Sequence, residues 1–295
     1  MKTGIGTYSW IRMNGVLMIL FILSFLLPIS IFVNWDSVSA WFQSSDTDDR
    51  RFSEAFLVPG KGVHFALEDS NLLNPEEGKG FFMAVWFKIK ELPLPGEEIQ
   101  LVAKYDLYHV SKSGYSLALR RDGDVIYPRV YWRGRNAAGG WYQFSELKDI
   151  LHAGWVLLAV SVYDGKLGLH TAYLNSGKDP KPLLLGGHEI GSDQLASSGV
   201  RLRVGAVAAP YFHGKIGAFG VGILKDLPSK LKVALEQLVS NPLAVPSAFT
   251  QDEVQFWTLN GRQDLSSTSK KILVVGEEKI KRKEKGGASG TTSTE

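Results

Sequence analysis

Residues 155–174, WVLLAVSVYDGKLGLHTAYL, constrain the fold more than any other stretch of the chain. Two alternating runs rich in aliphatic, β-branched and aromatic residues flank Asp164-Gly165. Alternation sends successive side chains to opposite faces of a strand. Asp-Gly suits a type I′ turn, whose twist matches that of the strands it joins. The segment reads as a β-hairpin. In its first strand Val156, Leu158, Val160 and Val162 make one aliphatic face. Trp155, Leu157, Ala159, Ser161 and Tyr163 make a second, semi-apolar face. The first suits a sandwich core and the second the lining of a groove.

The same punctuation recurs along the chain. Turn pairs stand at Pro59-Gly60, Pro95-Gly96, Asp122-Gly123, Gly139-Gly140, Asp164-Gly165 and Gly186-Gly187. Between them the strand candidates are 81–89, 99–105, 115–120, 125–132, 154–163, 166–174, 200–208 and 211–224. Many short antiparallel strands with few helices predict an all-β, two-sheet antiparallel jelly-roll sandwich. One amphipathic helix is expected over 227–239. Asp226 stands at its start, Pro228 in its first turn, and Leu231, Leu235 and Leu238 on one face. Cysteine is absent, so disulfides, thiolate metal sites and cysteine nucleophiles are excluded. A net charge of +3 does not argue for nucleic acid.

Residues 15–33, GVLMILFILSFLLPISIFV, form an uninterrupted apolar run. As a helix it would cross a hydrocarbon core of roughly 30 Å. Lys2 and Arg12 precede it, and Asp36, Asp46, Asp48 and Asp49 follow it. Trp10 and Trp35 bracket it as interfacial anchors would. The basic flank orients the N-terminus toward the cytoplasm and the rest of the chain outward. The expected organisation is a cytoplasmic N-terminus (1–14), a transmembrane signal anchor (15–35) and a spacer (36–56). A jelly-roll domain (57–262) and a mostly disordered tail (263–295) follow, the tail mixing charge with Gly, Ser and Thr. The alternative is a secreted protein cleaved after Ala40, where Val38-Ser39-Ala40 offers a small-x-small site.

Several segments, taken in order, resemble one family. VHFALEDSNLLNPEEGKGFFMAVWFKI (63–89) looks like an opening strand, an acidic link and a strand with an aromatic-Trp-aromatic core. GYSLALRRDGDV resembles the next hairpin. GWVLLAVSVYDGKLGLHTAYLNSG resembles a central W-x-x-x-A-V-x-x-D-G hairpin, with Ser176 set between Asn175 and Gly177. RLRVGAVAAPYFHGKIGAFGVGI resembles the closing pair. The resemblance is to laminin G-like, or concanavalin A-like lectin/glucanase, jelly rolls of bacterial type, over roughly residues 57–224. It implies glycan or protein binding, often with calcium; some relatives of the same fold hydrolyse glycans.

The chemistry-bearing residues sort accordingly. Glycanases of this fold carry carboxylates at alternate strand positions, where one attacks and another protonates. No such triplet occurs. Glu76-Glu77 and Glu97-Glu98 are adjacent, Asp122 and Asp124 flank a turn glycine, and Gly191 separates Glu189 from Asp193 in a loop. There is no nucleophile elbow and no zincin pair. The glycine-spaced stretch GKIGAFGVG (214–222) reads as small residues in a closing strand rather than a phosphate cradle. The expected recognition element is the loop 127–144, carrying Tyr131, Trp132, Arg133, Arg135, Asn136, Trp141 and Tyr142. Sugar rings stack on aromatic faces, while Arg and Asn bond hydroxyls or acidic groups. Asp69, Asn71 and Asp106 are calcium candidates at the rim, with ordinary turn and strand-end roles as the alternative.

The function expected is a non-catalytic, membrane-anchored, extracytoplasmic binding module for envelope glycan or a partner protein. It would sit in the periplasm or at the cell surface. A glycan hydrolase of the same fold and a structural or assembly component of a membrane complex are the alternatives.

Overall fold

The computed structural model describes residue 52 and residues 55–59, 64–105, 113–134, 139–148, 150–151, 154–174, 180–191, 196–205, 209–250, 252–258 and 273–275. Its strands are β1 (Phe56–Pro59), β2 (His64–Leu67), β3 (Gly80–Ile89), β4 (Glu98–Tyr105), β5 (Gly114–Asp122), β6 (Val125–Arg133) and β7 (Gly139–Gln143). Then come β8 (Trp155–Tyr163), β9 (Lys166–Leu174), β10 (Leu183–Glu189), β11 (Leu202–Val204), β12 (His213–Leu224), β13 (Val254–Thr258) and β14 (Leu273–Val275). One helix, α1 (Leu227–Ser240), lies between β12 and β13.

The strands form two antiparallel sheets, as expected for a jelly-roll sandwich. Sheet A runs β1-β12-β3-β8-β9-β10, with β13 also paired to β12. Sheet B runs β14-β2-β11-β4-β5-β6-β7. The hairpin β8–β9 sits toward one side of sheet A, paired from Trp155↔Leu174 to Tyr163↔Lys166. Asp164 and Gly165 both take left-handed backbone conformations (φ 50° and 69°), as a type I′ turn demands.

Between the sheets lies one core. Sheet A contributes Phe81, Met83, Val85, Phe87, Val156, Leu158 and Val160. Sheet B answers with Leu101, Tyr115, Leu117, Val130, Trp132, Leu202 and Val204. The aliphatic face read from β8 is thus the core face.

The second face of β8 is no groove. Trp155, Leu157 and Ala159 are fully covered and pack with Trp86, Phe82 and the helix residues Leu227, Leu231, Ala234, Leu235 and Leu238. A semi-apolar strand face buries itself when an amphipathic helix with a matching leucine stripe follows in the chain. Asp226 occupies the N-cap position of α1, but its side chain makes no capping bond. Its carbonyl accepts instead from Ser229 Oγ at 2.9 Å.

Glycines on β12 make this outer layer fit. A Cβ at Gly217 would lie 2.2 Å from the Phe52 ring, and one at Gly220 would lie 2.5 Å from Phe256. Bare backbone lets both rings lie flat on the strand. Phe52 stacks on Trp155 with ring centroids 4.0 Å apart and is 1% exposed. Phe52, which lies ahead of the expected boundary at 57, is thus packed against the sandwich.

Further differences concern strands the sequence hid. β7 lies within what reads as a recognition loop, and β10 falls where Gly186-Gly187 and Gly191 suggest a loop. A bulge between Leu184 and Gly186 absorbs the glycines in β10. β14 lies within the expected disordered tail and pairs with β2. The apolar run 15–33 and the cleavage site at Ala40 lie outside the described residues. Among the described residues, no helix is long and apolar enough to cross a membrane.

Candidate binding face on sheet B

The exposed side of sheet B is set by alternation and by one bulge. On β4, Glu98 and Gln100 point outward; a register shift at Leu101 then turns Ala103 and Tyr105 outward as well. On β5 the outward residues are Gly114, Ser116, Ala118 and Arg120; on β6 they are Tyr127, Arg129, Tyr131 and Arg133. Trp141 on β7 pairs with Tyr131 and shares its face. A straight cross-strand row results: Arg203, Ala103, Ser116, Tyr131, Trp141.

Small residues in the middle of this row let large neighbours lie down on the sheet. The Tyr105 and Tyr131 rings meet at 4.9 Å, and Tyr131 meets Trp141 at 5.2 Å. The Tyr105 hydroxyl accepts a short hydrogen bond from Gln100 Nε2. Burial pushes that hydroxyl's pKa up, and the nearby Glu98 adds to the rise. Tyr105 and Tyr131 are 6% and 7% exposed, so they form a small second core with Ala103. Trp141 is the partly exposed member of the cluster.

Arg129 joins this cluster to a carboxylate. Its guanidinium carbon sits 4.9 Å from the centroid of the Trp141 ring. Its Nη1 donates to Glu98 Oε2 at 2.7 Å. Burial raises the Glu98 carboxyl above its ordinary range, and Arg129 pulls the other way. Each outward carboxylate of sheet B among the described residues faces an arginine. Glu98 pairs with Arg129, Asp122 with Arg120 (3.1 Å) and Glu68 with Arg201 (3.3 Å).

The sequence-predicted site residues divide across the sheet. Tyr131, Arg133 and Trp141 share the outer face. Trp132 does not: it is 1% exposed in the inter-sheet core, edge-on to Phe81 and stacked near Tyr115. Alternation forces this, because Trp132 is one residue from Tyr131. Tyr142 also belongs to the core side, half-buried beside His188. Arg135 and Asn136 lie outside the described residues. Glu98, Gln100, Tyr105, Arg129 and Arg203 complete the face, and the loop reading missed them. The outward positions of β4, β6 and β11 could have flagged them.

The rim candidates behave differently. Asp69 Oδ1 accepts from Lys104 Nζ at 2.9 Å and from Asn74 Nδ2 at 2.8 Å. Asn71 is exposed at a single 3-10 turn, Asn71–Leu73. Asp106 lies outside the described residues. Among the described residues, no group of three or more His, Asp or Glu side chains is arranged to hold a metal ion.

No protein-family model matches the chain, and no curated protein sequence matches it. Solved structures do share its shape in part. A carbohydrate-binding module of a Ruminococcus gnavus sialidase, CBM40, bound to α2,3-sialyllactose, is 10% identical with a TM-score of 0.41. It covers 63% of this chain and 95% of that one. Tailspike protein 2 of an Escherichia coli O157:H7 bacteriophage is 13% identical with a TM-score of 0.39. The alignment spans 55% of this chain but only 21% of the tailspike. Mouse laminin α1 domains LG4-5 are 11% identical, with a TM-score of 0.30 over 54% of this chain and 40% of that one.

Proposed function

We propose that this chain is a membrane-anchored, non-catalytic binding module of the cell envelope, and that the outer face of sheet B takes an acidic glycan. The observation that carries this reading is the partly exposed Trp141 ring with the Arg129 guanidinium 4.9 Å above it. An aromatic face offers stacking to a sugar ring, and the arginine beside it, whose Nη1 is held by Glu98, has Nη2 left to donate to a carboxylate. Arg120, Arg129, Arg133, Arg201 and Arg203 all belong to this face, against Glu68, Glu98 and Asp122. The excess of guanidinium favours an anionic ligand over a neutral one.

The arginine pairing also bears on hydrolysis. A glycosidase needs one carboxylate as acid and another as base or nucleophile, both poised on the substrate. Glu68, Glu98 and Asp122 are each engaged by arginine, and Asp124 pairs with Arg121 beside its turn. That arrangement supports binding over cleavage.

The anchor rests on the apolar run 15–33 and its charged flanks, with the domain outside the cytoplasm. N-terminal sequencing of the membrane-bound protein tests it: an intact Met1 supports an anchor, and a chain starting at Trp41 supports secretion. A glycan array probed with residues 52–295 tests the ligand class. Retention on uronic-acid or other carboxylated glycans is expected, without cleavage products. Retention only on neutral glycans, or release of shortened oligosaccharides, would contradict the reading.

A further inference from the structure

Lys104 is an inward-pointing charge on a core strand. Alternation on β4 puts Ala103 and Tyr105 outward and Lys104 on the core side, where its side chain is 0% exposed. A buried ammonium needs oxygen partners. Here they come from two separate rim segments. Nζ donates to Asp69 Oδ1 at 2.9 Å, to Asn74 Oδ1 at 2.9 Å and, by a short bond, to the Ser198 carbonyl. Supporting bonds fix each acceptor. Asn74 Nδ2 holds Asp69, Ser198 N–H donates to Asn74 Oδ1 at 3.3 Å, and Ser198 Oγ donates back to the Lys104 carbonyl at 3.1 Å.

A carboxylate, a side-chain amide oxygen and a backbone carbonyl converging on one point are the donor set of a hard cation. Calcium at this rim is what the sequence resemblance implies through Asp69. The set does not fit it, because an ammonium already stands among the oxygens and would repel a second cation. We infer that Lys104 is the resident cation of this rim, joining the 69–74 and 197–198 segments to β4 in the place of a metal ion, and that the domain is calcium-independent there.

Thermal unfolding of the full-length protein in detergent, with calcium chloride or with a chelator, tests this. The wild-type midpoint is expected to be the same in both. Lys104→Met removes the charge at similar length. In chelator its midpoint should fall by roughly 5–10 °C, the cost of removing the fully buried ammonium from Asp69, Asn74 and the Ser198 carbonyl, which it holds to β4. With the ammonium gone, calcium should restore part of that loss. A saturable wild-type rise with calcium, abolished by Asp69→Asn, overturns the inference. So does a Lys104→Met protein that is as stable as wild type. So does one that is destabilised but indifferent to calcium, since an ordinary ion pair would behave that way. If Lys104→Met does not fold, Lys104→Gln carries the same comparison, and calorimetric titration of the wild type with calcium decides alone if neither folds. Absence of heat is then expected, and saturable binding overturns the inference.

Discussion

Arg129 lies over the Trp141 ring at 4.9 Å, on adjacent strands at the edge of sheet B. The same guanidinium reaches Glu98 on β4, with both side chains about four-fifths buried. Arg129→Ala therefore removes a stacking contact and leaves a largely buried carboxylate without its counterion. A loss on the order of 1–3 kcal/mol is expected in urea unfolding. Glu98→Gln should cost less, because it removes the group that burial disfavours. The double variant should lose less than the sum of the two single losses.

Phe52 and Gly217 form a steric pair. A methyl group at 217 would strike the Phe52 ring, and Trp155 stacked on that ring leaves it little room to move. Gly217→Ala should cost about 1–3 kcal/mol. In a Phe52→Ala background the same substitution should be close to neutral. Chemical denaturation of the four proteins of this cycle checks the coupling, and equal costs in both backgrounds would refute it.

His170 titrates against folding. Burial lowers its pKa from 6.5 to about 4. It sits on β9 beneath α1, 3.4 Å from Ser161 Oγ. Lys181, Lys232 and Glu236 line the groove above it. Between pH 6.5 and 4 the unfolded chain therefore binds more protons at this position than the folded one. The stabilisation is complete above pH 6.5 and is lost as pH falls toward 4. A loss on the order of 3 kcal/mol corresponds to a fall in midpoint of roughly 6–12 °C. His170→Gln should flatten this part of the pH profile, measured as the difference between variant and wild type.

Much of this molecule is legible in its sequence, and the unreadable parts have physical causes. The β8–β9 hairpin is plain, because its alternation is long and its Asp-Gly turn specific. The helix is plain from Leu231, Leu235 and Leu238. Glycines conceal β10, since a bulged edge strand needs no alternating pattern to pair. The stretch preceding the domain conceals Phe52, because a lone aromatic shows its role only through the glycine it covers. The binding face is half legible. Tyr131, Arg133 and Trp141 are visible as a cluster, but a loop reading cannot separate them from Trp132 and Tyr142. The strand register separates them, and it recruits Glu98, Gln100 and Arg203 from distant strands. Lys104 reads as a surface charge until β4 is phased across its bulge.

The proposed contact surface for an acidic glycan is the pair Trp141 and Arg129. Its most direct test is calorimetric titration of the wild-type 52–295 protein and Trp141→Ala with an oligogalacturonide, with a neutral cello-oligosaccharide as control. The partly exposed Trp141 should be removable with less than about 1 kcal/mol lost in stability. Saturable binding of the acidic oligosaccharide to the wild type is expected, with at least tenfold weaker binding to Trp141→Ala, about 1.4 kcal/mol. Binding that Trp141→Ala leaves unchanged, or equal binding of the neutral control, would contradict the proposal.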